Sequence, residues 1–157
     1  MTHIIETVAT VLERELAPTI ERWMKRVDKV SELTRVPLSY EERTGHLPQL
    51  LREVIIRLRL EEGAECPKTS SAHDHGKVRF DQGYSAPMLV EESLLLQVSI
   101  FDTLRREQKR LDSSIILTDV VTIADECDTQ LKHAVETFIE LDKHGKGGAE
   151  RRDQESL

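Results

Sequence analysis

Residues 117–141 read LTDVVTIADECDTQLKHAVETFIEL, and the placing of their apolar side chains decides the fold class. Leu117, Val120, Ala124, Cys127, Leu131, Ala134, Phe138 and Leu141 are separated alternately by three and four positions. That is the a/d spacing of a helical seam, sustained over several heptads. The stretch predicts one long helix. Two arrangements satisfy it. Either the helix packs on its own domain, with Ile123 and Val135 widening the stripe, or it runs along a partner helix and carries a signal outward.

Working outward, Glu107 to Asp112 is a charged break, and the residues before it form a second helix. Met88, Leu89, Leu94, Leu95, Leu96, Val98, Ile100, Phe101 and Leu104 make that helix apolar nearly all round, so it is expected to be the buried centre. Ser85 is placed to cap it, with Pro87 tolerated in its first turn. Ser71 and Asp74 open a short helix over Ala72 to about Asp81, closed by Gly83 in a left-handed cap. Glu61 to Ser70, with Gly63 and Pro67, is the main loop. Upstream, Ser39 and Glu42 form a capping box for a helix starting at Tyr40. It carries Leu47, Leu50, Leu51, Val54, Ile55 and Leu58, with Pro48 as a kink or split. Ser31 to Leu38 reads as a connection. Ile5, Val8, Leu12 and Leu16, then Ile20, Trp23 and Val27 after Pro18, make the amino end helical. No run alternates with strand period. The fold class expected is all-α: a bundle of about six helices over residues 1–142, with 143–157 a glycine-containing flexible tail or linker.

Composition narrows the function classes. The chain has 157 residues, 32% of them charged and 4% aromatic, enough for one domain with a core that needs neither metal nor disulfide. A formal charge of −7 argues against nucleic acid and anionic membranes as partners. Arg105, Arg106, Lys109 and Arg110 form only a short basic run at a helix end. Cys66 and Cys127 stand apart without a C-x-x-C pairing, in keeping with a reducing compartment. The first sixteen residues lack the pattern of a signal peptide, and no apolar run approaches a membrane span, so a cytoplasmic location is expected.

The polar residues are densest at positions 73–85, HDHGKVRFDQGYS. His75, Arg79 and Gln82 share one helix face, and a buried Arg79 would require a carboxylate, with Glu91 or Glu92 nearest in sequence. His73 and His75, two apart, point to different faces, which argues against a shared metal. No nucleophile elbow, phosphate loop or H-E-x-x-H motif occurs. Neither an enzyme nor a cofactor is expected.

One resemblance draws these residues together. His75-Gly76, Arg79, Gln82-Gly83-Tyr84-Ser85, then Leu89-Val90, Glu92 and Leu95-Leu96 resemble the signature of RsbRD-type amino-terminal sensor domains, found in bacterial stressosome proteins and some sensor histidine kinases. Trp23, Glu42-Arg43, His46-Leu47-Pro48, Ala134 and Phe138 extend the likeness over roughly Ile5 to Leu141. Ser93 departs from the family's aromatic at that position. The resemblance implies a globin-like fold lacking haem and a homodimer whose last helix feeds an effector such as a kinase or STAS-type partner in stress signalling. It also implies a ligand or signal network at His75, Arg79, Gln82, Tyr84 and Glu92. No effector sequence follows, so the chain reads as a free-standing module. Two other functions suit parts of the sequence. One is a haem or small-ligand sensor with His73 or His75 as axial ligand. The other, with poorer geometry, is a metal-dependent hydrolase at His73, Asp74 and His75.

Overall fold

Prolines set the first breaks in the chain. A proline ring collides with the carbonyl four residues back and supplies no N–H to a helix. In the computed structural model, which describes residues 4–155 and the side chains of residues 4–145, helix α1 (Val8–Arg14) accordingly stops just before α2 (Leu16–Val27), which holds Pro18 in its first turn. Pro48 does the same one step later, separating the single turn α4 (Tyr40–Thr44) from α5 (Leu47–Arg59). Another single turn, α3 (Ser31–Thr34), lies within the expected connection. The Ser39–Glu42 capping box is formed in both directions.

The loop after α5 leads to α6 (Ser71–Asp81). Gly83, with φ of +88°, turns the chain into α7 (Ala86–Arg106), where the Ser85 hydroxyl accepts the Met88 N–H. A 3-10 turn over Gln108–Arg110 precedes α8 (Ile116–Glu155). Among the described residues the secondary structure is all helical, apart from one isolated bridge between Glu6 and Leu111. The architecture is a helical bundle with six longer helices. Trp23, Leu33, Leu47, Val54, Leu89, Ile100 and Ile123 are completely or almost completely buried at its centre. No helix among the described residues is long and apolar enough to cross a membrane.

Four expectations are corrected. Ile5 is exposed and outside α1, because Thr7 caps that helix and Glu6 instead donates its N–H to the Arg110 carbonyl at 2.8 Å. Helix α7 is not buried all round. Leu94 and Val98 are half exposed, while Glu92, Ser99, Asp102 and Thr103 occupy its inner face. The seam of α8 is divided: Cys127, Ala134 and Phe138 are buried, Val120, Ala124, Leu131 and Leu141 half-buried, and Leu117 is 75% exposed. The inner stripe runs instead through Ile123, Cys127, Gln130, Ala134 and Phe138, because α8 crosses α5, α6 and α7 rather than following a single helix. Finally, the backbone of residues 143–155, read as a flexible tail or linker, is helical and continues α8 to Glu155. Extending an existing helix costs about 1 kcal/mol per glycine relative to alanine, far less than nucleating a new one. Ser156 and Leu157 lie outside the described residues.

Candidate functional site

Gly76 brings the polar segment against the last helix. It lies on the inner face of α6, where an added Cβ would stand 2.3 Å from the Ala134 carbonyl oxygen of α8. This close backbone approach admits only glycine. One turn on, the guanidinium of Arg79 is wholly buried.

A buried cation requires charge compensation and saturated donors. Arg79 has both. Its Nε donates to Glu92 Oε2 at 2.9 Å, and Nη1 donates to Gln82 Oε1 at 2.6 Å and to the Glu42 carbonyl at 3.2 Å. Nη2 donates to the Arg43 carbonyl at 2.7 Å. A second buried guanidinium, Arg43, donates to the Leu33 and Val36 carbonyls and, at 2.8 Å, to Tyr84 Oη. Tyr84 Oη donates in turn to Glu92 Oε1 at 2.5 Å. Trp23 Nε1 donates to the Glu92 main-chain carbonyl at 3.1 Å. Glu92 is therefore the hub. Burial raises its pKa, and the adjacent Arg79 charge opposes that rise. Burial, then the Glu92 charge, also raises the Tyr84 phenol, which keeps it a donor.

Two histidines complete the cluster. His46, at the start of α5, stacks flat on His75, with ring centroids 3.8 Å apart and planes within 8°. The Trp23 ring meets His46 edge-on at 6.0 Å. His75 Nε2 is 3.9 Å from Glu92 Oε2, too far for a hydrogen bond, and its buried Nδ1 has no partner among the described residues. Burial, reinforced by the Arg79 charge, holds the His75 pKa down to about 3. Burial and the neighbouring His75 and Arg79 push His46 well below its ordinary value too. Both rings are neutral.

The pair forms a wall between two spaces. On the inner side is a cavity of about 20 Å³ bordered by Glu92, Ser93, Cys127 and Gln130. Ser93 contributes to this space. A cavity of that size has room for a water-sized species, not for a tetrapyrrole. Cys127 is a protonated thiol there, its pKa pushed up to about 12 mainly by burial. On the outer side an open cleft of about 490 Å³ is bordered by Glu42, Gln49, Asp74 and Gln82.

All five residues of the expected network, His75, Arg79, Gln82, Tyr84 and Glu92, thus lie together, and the carboxylate is Glu92 rather than Glu91. His73 is elsewhere: its Nδ1 is 2.7 Å from Thr137 Oγ1, and its ring stacks on His133. Asp74 is exposed and accepts from the Ser70 hydroxyl. His73, Asp74 and His75 therefore do not converge. Trp23, Arg43 and His46 belong to the site, yet the chemistry of positions 73–85 alone does not reach them; only the family resemblance pointed that far up the chain. Comparison of the chain with family models, curated proteins and solved structures finds no match.

Proposed function

We propose that the protein is a non-catalytic sensing and relay module of the RsbRD type, in which the Glu92-centred network detects a ligand or partner and α8 transmits the change. The observation that carries this reading is the contact of Gly76 with Ala134, which binds the site-bearing helix directly to the longest helix of the fold. A displacement of His75 or Arg79 cannot be absorbed by side-chain movement at that contact, because both partners there are backbone. A ligand biases such an arrangement only through different affinities for two states, so the residues that bind it must also be those that move.

Dimerisation is the second part of the proposal. Leu94 and Val98 of α7 are half exposed, Leu117 and Val121 of α8 more so, and Phe101 with Val120 borders the recess between the two helices. Apolar side chains in such numbers on adjacent helices suit a helix-packed homodimer. The effector would be of the kinase or STAS-type class that the resemblance implies, in a cytoplasmic stress-response system. Native mass spectrometry of the untagged chain tests the reading. A dimer without a retained tetrapyrrole or other organic molecule is expected, and a monomer holding haem would overturn it.

A further inference from the structure

The strongest observation that sensing alone leaves unexplained is the stacked histidine pair. Native structures satisfy nearly all buried polar atoms, and an exception points to a bound water or ion. His75 is such an exception. Its side chain is only 9% exposed, and its Nδ1 is without a partner among the described residues.

We infer that His46, His75 and Glu92 form a binding site for a first-row divalent transition metal, with two imidazole nitrogens and one carboxylate oxygen as ligands. Their donor atoms lie within 4.8 Å of one another. Two histidines with one carboxylate is the donor set of zinc and non-haem iron sites that keep positions open for a further ligand. The open positions face the cavity of about 20 Å³, which accommodates a water or another small ligand.

Three further features support the assignment. Metal-ligating imidazoles must be unprotonated, and burial keeps both rings so. The carboxylate is oriented by Arg79 and Tyr84, the outer-shell support that ligands of a metal require. The outer cleft, with Glu42 and Asp74 on its rim, supplies an entry path that attracts cations.

Two features oppose binding and shape it. Arg79 and Arg43 bring two positive charges against the single charge of Glu92, so the ion is held chiefly by the neutral nitrogens and its affinity is moderate. Parallel rings 3.8 Å apart do not both aim in-plane lone pairs at one point, so one ring tilts on binding. That tilt is the useful consequence. His75 is the residue before Gly76, so a ring movement there acts at the contact with α8.

The assignment rests on the sensing role proposed for this site, and the test separates the two. Chelator-treated full-length protein is titrated with Co²⁺, following the visible d–d absorption, and the hydrogen exchange of α8 is measured with and without the ion. One equivalent is expected to bind. His46→Gln and His75→Gln should each weaken binding by more than about tenfold, while a His73→Ala/His133→Ala double variant, which removes the other stacked pair, should bind as the wild type does. No d–d band in the wild type, or a band abolished by the His73/His133 change, overturns the metal site. Unweakened binding by folded His46→Gln and His75→Gln proteins overturns it as well, and an absent band in the wild type does so whether or not those variants fold. If Co²⁺ binds but α8 exchange is unaltered, the metal site stands and the relay falls.

Discussion

Arg79 is where a single side chain matters most. Removing one member of a buried ion pair leaves the other charged and desolvated, which costs about 3–5 kcal/mol. Arg79→Ala is therefore expected to lower the unfolding free energy by that amount, read as a lower urea midpoint, and an unchanged midpoint would remove Arg79 from the network. Lysine should not restore it, because one ammonium cannot replace a fork that reaches Glu92, Gln82 and two carbonyls at once. The histidines make a second prediction, for metal-free protein. His75, facing Arg79, Glu92 and His46, has its pKa held at about 3, whereas an unfolded chain binds that proton near pH 6.5. Below about 6.5 the unfolded state gains a proton that the fold refuses. Stability therefore falls as pH drops toward 3, by about 1.4 kcal/mol per pH unit for each such histidine, and is insensitive to them above 6.5. Unfolding at pH 7.5 and pH 5 measures this; equal stabilities would contradict burial of the pair. Asp102, held at about 2 chiefly by Arg105, adds an acid loss only at lower pH.

At the scale of elements, the decisive contact is α6 against α8. Gly76→Ala inserts a methyl 2.3 Å from a carbonyl that belongs to a packed helix, so the two helices must separate. Overpacking of this kind costs about 1–3 kcal/mol. The variant should unfold earlier in urea and exchange the amides of α8 faster, and wild-type behaviour would show that the helices yield there without consequence. Gly83→Ala is a useful contrast. Nothing lies within 4 Å of a Cβ there, so its cost is only the strain of a left-handed residue. The positions of caps and prolines were legible in advance, because they act within a few residues. The facing of α7 and α8 was not: periodicity locates a stripe, but which part of it is covered depends on how many neighbours the helix crosses.

For the molecule as a whole, the exposed apolar side chains of α7 and α8 are the feature to probe. Leu117→Asp/Val121→Asp removes apolar surface without touching the core, since these residues are 75% and 68% exposed. Sedimentation equilibrium should show a dimer for the wild type and a monomer for the double variant, with helical content retained. A wild-type monomer at all concentrations would dismiss the dimer.

The sequence by itself determined the helical class, the capping box at Ser39, the N-cap at Ser85, the turn at Gly83 and the need of a buried Arg79 for a nearby carboxylate. The caps and the turn follow from interactions over a few residues, and the Arg79 pair from two helices joined by one short turn. Tertiary structure decided that Arg43 and His46, which only the resemblance had marked, join the site, that His73 leaves it, and that only part of the α8 seam is buried in its own domain. Those outcomes depend on which helices are brought together to bury apolar surface, and that choice is made by the whole core at once.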